Sequence, residues 1–228
     1  NWVANAGTTA SNTNGSITST VQVNQTAGFS IVKWTSTGSN ATVGHGLSTA
    51  PSFILGKVLT RTDNWIVGHH KQSSTPWNNA TFLSVSDSQY TSAAYWNNTA
   101  PTSTVFTTGT WWYSSENYIA YCWHEVDGFS KFGKYTGNGS ADGPFVYTGF
   151  RPAWIMIKNA GATASWFILD AARNTFNPVE NWLVADDPQA EVVTSGDRKI
   201  DFLSNGFKIR ATTTDFNGSS GNMIYMAF

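Results

Sequence analysis

The residues best suited to chemistry in this chain are aromatic rings in polar surroundings. Trp111, Trp112 and Tyr113 stand together after the stretch TTGT, Trp77 follows SSTP, and Trp96 precedes NNTAP. Sugar rings have apolar C–H faces that stack on exposed aromatic faces, while nearby amides bind their hydroxyls. These five residues are therefore the candidate ligand-binding set. The competing reading buries the same rings inside the fold or against a second subunit or domain.

Other reactive side chains point elsewhere. His69 and His70 adjoin at the end of NWIVGHH, where neighbouring strand residues face opposite ways and make a poor metal chelate. His45 lies between glycines in VGHGL and reads as a hydrogen-bonded turn histidine. His124, Glu125 and Asp127 fit the charged end of a strand, and no G-x-S-x-G nucleophile motif stands near them. The run NGSADG offers Asn138 and Asp142 as calcium ligands, but it lacks the spacing and final Glu of an EF-hand loop and suits a polar turn. Calcium is the only cofactor the sequence suggests. No pair of carboxylates can be assigned across a cleft, so no catalytic residue is named. Cys122 lies in the apolar run YIAYCWHEV and reads as a buried structural thiol.

These residues need a scaffold, and the composition says which kind. Charged residues are 12% of the 228, about half the usual share of roughly 25%. The chain is not therefore disordered, because 11 Trp, 8 Tyr and 14 Phe supply a core. Net charge is −1 with no basic run, which argues against nucleic acid as a partner. No apolar run approaches the length of a membrane span, so membrane insertion is not expected. The chain begins with Asn1, as expected of a processed product or an excerpt.

Short apolar runs such as FSIVKW, SFILGKV, AWIMIKN and SWFILD alternate with turn clusters such as STGSN and NAGATAS. In GFKIRA, Phe207 and Ile209 face one way, Lys208 and Arg210 the other. This is antiparallel β structure with one wet face. The one helical candidate is a turn or two after Asn177-Pro178.

The chain also repeats itself. Gly28-Phe29-Ser30 returns as Gly128-Phe129-Ser130, Lys33-Trp34-Thr35 as Lys134-Tyr135-Thr136, and Pro51-Ser52-Phe53-Ile54 as Pro152-Ala153-Trp154-Ile155. Lys57 matches Lys158, Trp65 matches Trp166, FLSVSDSQ matches WLVADDPQ, and NYIAYCW matches NMIYMAF. The order is collinear and the offset stays between 100 and 105. The expectation is a duplicated antiparallel β-sandwich, jelly-roll or lectin-like. Residues 1–27 form a polar leader that adds a strand, 28–127 the first copy and 128–228 the second. No linker separates the copies, so close packing is expected.

The phrases NTNGSITSTVQVNQTAGFSIV, ATVGHGLSTAPSFI, YIAYCWHEVDGFSKFGKYTGNGSADGPFVYTGFRPAWIMIK, NPVENWLVADD and DFLSNGFKIR cover nearly the whole chain. With them the chain resembles uncharacterised repeat domains in tail-fibre and other virion proteins of marine bacteriophages, of the cyanophage and pelagiphage type. The resemblance implies a virion component, assembled in the host cytoplasm and exposed on the extracellular particle. It implies other virion proteins as partners. From how fibres are usually built comes the expectation of a homo-oligomer, a trimer. It supplies no catalytic residues, and the chain departs from it at TGTWWYSSEN, where a Gly/Ser/Asn-rich loop is expected. Three readings follow. The first is a non-enzymatic attachment module holding a host-surface glycan or protein. The second is a spacer or capsid-decoration domain. The third is a glycan depolymerase.

Overall fold

The computed structural model describes residues 4, 7–193, 196, 198–219 and 221–228. The fold is all-β, and every paired strand among the described elements runs antiparallel to its neighbour. The chain divides into two compact units, 1–82 with 90–126, and 83–89 with 127–228. The division at Val126/Asp127 falls one residue before the expected boundary. The leader belongs to the first unit, and the seven residues 83–89 belong to the second.

The first unit contains β1 (Ala10–Asn12), β2 (Ser19–Asn24), β3 (Phe29–Thr35), β4 (Ala41–Gly44), β5 (Phe53–Val58), β6 (Ile66–His69), β7 (Asn79–Phe82), β8 (Tyr90–Thr91), helix α1 (Ala93–Trp96), β9 (Val105–Thr108) and β10 (Asn117–Trp123). Its main sheet has the order β1-β2-β3-β10-β5-β6-β7-β8, and β4 pairs with β9. The leader thus adds two strands, and β2 docks on β3 with Val21 opposite Val32.

The first unit's core is made of indoles, and two glycines make room for them. Gly56 on β5 and Gly68 on β6 carry no side chain where the rings lie. A Cβ on Gly56 would stand 2.7 Å from Cη2 of Trp112, and one on Gly68 would stand 2.6 Å from Cζ3 of Trp77 and 2.9 Å from Cζ2 of Trp96. Trp34 completes the cluster, with ring centroids 5.4 Å from both Phe106 and Trp112 and 5.5 Å from Tyr118. Offset and edge-on arrangements of this kind each add about 0.5–1.5 kcal/mol beyond burial.

The second unit contains β11 (Lys131–Tyr135), β12 (Phe145–Tyr147), β13 (Trp154–Asn159), β14 (Trp166–Asp170), β15 (Leu183–Val184), β16 (Ile200–Leu203), β17 (Gly206–Ile209), helix α2 (Thr214–Asn217) and β18 (Met223–Ala227). A five-stranded sheet, β11-β18-β13-β14-β15, faces a three-stranded sheet, β12-β17-β16. Ile155, Ile157 and Tyr225 from the first meet Val146, Phe202 and Phe207 from the second in one core. The alternation in GFKIRA holds: Phe207 and Ile209 are buried, while Lys208 is not. The helical turn expected after Asn177-Pro178 is absent. Those residues run extended instead, with Val179 bridged to Ile200 and Trp182 to Val192.

The two units share one plan. The order β3-β10-β5-β6-β7 in the first recurs as β11-β18-β13-β14-β15 in the second. Register recurs too, at the offsets read from the sequence. Trp34 opposite Tyr118 becomes Tyr135 opposite Met223, and Phe53 opposite His69 becomes Trp154 opposite Asp170. Loop bonds follow suit. His70 N donates to Ser52 O as Ala171 N does to Ala153 O, and Leu59 N to Asn117 O as Ala160 N to Asn222 O. Lys57 Nζ donates to the carbonyl of Asp63, and Lys158 Nζ to that of Ala164.

Candidate functional site

Three of the five candidate rings are core residues. Trp77, Trp96 and Trp112 are buried, the last two completely. The expectation that they form a ligand platform is corrected here. The residues around each are polar, but the ring itself turns into space left by Gly56 and Gly68. The loop TGTWWYSSEN plugs the first unit with Trp112. In the second unit the connection between β17 and β18 supplies buried Phe216 in its place.

Burying Trp112 also positions its neighbours at the surface. Helix α1 starts at Ser92, whose hydroxyl accepts from Ala94 N, and ends at Asn97 in the left-handed conformation with φ of 50°. Its last carbonyls need donors, as at every helix end. The loop after β9 supplies them. Gly109 N and Trp112 Nε1 donate to Tyr95 O at 3.0 and 2.6 Å, and Trp111 N donates to Ala94 O at 2.9 Å. A side chain at Gly109 would collide with the α1 backbone, 2.2 Å from Ala94 O, so the close approach needs glycine. Tyr113 N donates to the Tyr118 hydroxyl at 2.9 Å.

What remains outside is a row of rings. Trp111 is partly exposed, with Tyr95 at 6.0 Å, Tyr113 at 6.1 Å and buried Phe82 beneath it at 5.8 Å. Tyr90 continues the row from Phe82 at 5.5 Å and is 41% exposed. Tyr113 is 38% exposed, and the Arg61 guanidinium lies 4.0 Å from its ring centroid. The row offers apolar faces edged by phenol hydroxyls and one cation, a surface on which a sugar can stack and hydrogen-bond. Tyr90 and Tyr95 are not among the five candidate rings, and no sequence signal separates them from core aromatics.

The oxygen cluster around Asn138 and Asp142 is filled from within. The buried amide nitrogen of Asn217 donates to Asn138 Oδ1, Ser140 O and Ala211 O at 3.1, 2.8 and 2.6 Å. Asp142 meets Lys208 Nζ at 2.8 Å, a hydrogen bond that holds its carboxyl below the usual value. Among the described residues, no group of three or more His, Cys, Asp or Glu stands close enough to hold a metal.

The histidines serve the fold. His45 is fully buried, its Nδ1 accepting from Leu47 N and its Nε2 donating to Thr102 O, and burial pushes its pKa down to about 4. His69 Nδ1 accepts from Lys71 N at 3.0 Å, and His70 Nε2 lies 3.8 Å from Glu125. Three carboxylates of the second unit are bound by arginines: Asp170 by Arg173, Asp201 by Arg210 and Asp215 by Arg198.

No curated protein and no solved structure matches the chain. One family model does, over residues 1–228, and the chain accordingly belongs to the family DUF7483, a domain of unknown function.

Proposed function

We propose that this chain is a non-enzymatic attachment module of a phage virion, built from two copies of one β-sandwich unit, that holds a host-surface glycan on the ring row of its first unit. The observation that carries the reading is the surface row Tyr113–Trp111–Tyr95 with Tyr90 beside it, fixed from below by Trp112 and α1. Rings held in place before binding lose little freedom on contact, so even a shallow surface gains affinity from them. Repetition along an oligomeric fibre strengthens weak single contacts. The shared strand order, register and loop bonds of the two units support an origin by duplication. The arginine partners of Asp170, Asp201 and Asp215 favour binding over hydrolysis, because each of these carboxylates is already engaged in an ion pair within the fold. The phage setting rests on the sequence resemblance.

The test is binding of the purified chain to host cells and a glycan array, beside a double variant Trp111→Ala, Tyr113→Ala. Both substitutions leave the indole core in place. Binding by the parent that disappears in the variant, with an unchanged circular dichroism spectrum, supports the reading. Equal binding by both moves the contact elsewhere, and no binding by a folded parent favours the spacer or decoration role.

A further inference from the structure

The second unit carries another exposed aromatic surface, and this one is cationic. On β12 the middle residue Val146 points into the core, so Phe145 and Tyr147 point out, 45% and 65% exposed. The outer face of the three-stranded sheet then reads across in rows. Phe145 stands opposite Lys208, and Lys208 opposite Asp201. Tyr147 stands opposite Gly206, which stands opposite Leu203. Gly206 lets the Phe145 ring lie down on the sheet, since a Cβ there would be 2.8 Å from the ring's Cζ.

At the Asp201 end of the Phe145–Lys208–Asp201 row opens a cleft of about 290 Å³ lined by Ala141, Pro178, Lys199, Asp201 and Arg210. Its far wall is pinned to β16. Asn177 Nδ2 donates to Phe202 O, and Phe202 N donates to Asn177 Oδ1, both at 3.0 Å. Phe176, next to this clamp, is 85% exposed.

The charges of the face do not cancel. Asp201 binds Arg210 at 2.6 Å, and Asp142 binds Lys208 at 2.8 Å with Arg210 at 3.9 Å. Among the described residues no carboxylate pairs with Lys199, whose side chain lines the cleft beside a 41% exposed guanidinium. Apolar ring faces on a sheet face that also carries Lys199 and Arg210 suit a ligand that is apolar on one face and anionic at its edge. A saccharide bearing carboxylates fits: its C–H face meets Tyr147 and Phe145, its carboxylate meets Lys199 and Arg210, and its hydroxyls meet Asp142 and Asp201.

We propose that the outer face of β12-β17-β16, with the cleft at Lys199, is a second saccharide site, selective for acidic oligosaccharides. The inference rests on the attachment reading but concerns a different unit and different residues, so each can fail alone. The probes are oligogalacturonate, its neutral methyl ester and polyaspartate, titrated calorimetrically into the full chain and into Tyr147→Ala, Lys199→Gln and Trp111→Ala/Tyr113→Ala. The expected result is binding of oligogalacturonate, weakened about tenfold by Tyr147→Ala and by Lys199→Gln, with little effect of the Trp111/Tyr113 pair. The methyl ester is expected to bind at least about tenfold more weakly than the acid. Equal binding of polyaspartate, or insensitivity to Tyr147→Ala, reduces the face to a charged patch and overturns the proposal. Loss of oligogalacturonate binding only in the Trp111/Tyr113 pair also overturns it while leaving the attachment reading intact. No binding of the acid at all overturns the second site, and the ring row is then judged by the host-cell test alone.

Discussion

The packing of Trp112 against Gly56 can be tested as a coupling between two residues far apart in sequence. A methyl group added by Gly56→Ala falls 2.7 Å from Cη2 and 3.2 Å from Cζ3 of Trp112, and 3.1 Å from Cγ2 of Ile66. Overpacking of this kind costs about 1–3 kcal/mol. Replacing a strand glycine returns about 0.5–1 kcal/mol of that, for a net loss near 1–2 kcal/mol. Trp112→Ala removes a completely buried indole and costs about 3–5 kcal/mol. It also removes one donor from Tyr95 O, which keeps Gly109 N, so the lost hydrogen bond adds only about 1 kcal/mol. In the double variant the methyl group added at position 56 enters the space the indole left and meets only Ile66. The pair should therefore be less destabilised than the sum by about 1–2 kcal/mol, within the range seen for contacting residues. Urea unfolding followed by far-ultraviolet circular dichroism avoids the fluorescence lost with Trp112. Two units allow two transitions, so the cycle is read from the one that Trp112→Ala moves. Additivity within about 0.5 kcal/mol would refute the packing argument.

Two further expectations concern buried groups. His45 has its folded pKa depressed to about 4 from 6.5, so between those values the unfolded chain takes a proton that the folded one declines, and stability falls as pH falls. The loss from pH 7 to pH 5 is about 2 kcal/mol, and a His45→Gln variant compared at the same two pH values should lack it; a wild-type loss no larger than the variant's counts against the assignment. Cys122 is fully buried, and burial raises its thiol pKa, so the native protein should resist a thiol reagent for hours and react once unfolded in urea. Stoichiometric labelling of the native chain would contradict its place in the core.

The sequence revealed some features because they depend on local rules. The period-two alternation at Phe207–Arg210 needs only the pleat of one strand. The repeat offsets matched stretches that turn out to lie at corresponding places in the two units, as Trp34 opposite Tyr118 and Tyr135 opposite Met223 show. The aromatic candidates failed for the opposite reason. Polar neighbours such as SSTP and NNTAP describe the chain beside Trp77 and Trp96, while ring burial depends on Gly68, which neither stretch contains. Phe145 and Tyr147 escaped notice because PFVY reads as an apolar run. Only the packing of Val146 into the core shows that the rings on either side of it face outward. The turn read at NGSADG is closed by the amide of Asn217, 79 residues after Asn138, a partner that no local pattern announces.

Residues 83–89 leave β7 and belong to the second unit before the chain returns to β8 in the first. There Ser86 O accepts from buried Lys158 Nζ and from Ala164 N, both at 2.8 Å, and Gln89 N donates to Ala160 O at 2.8 Å. Genetic exchange between related chains that cut at Val126/Asp127 would join a second half to an unfamiliar cover over its lysine. An exchange there succeeds only where the incoming segment keeps a carbonyl at Ser86 within reach of Lys158, so changes near Ser86 and near Lys158 constrain each other.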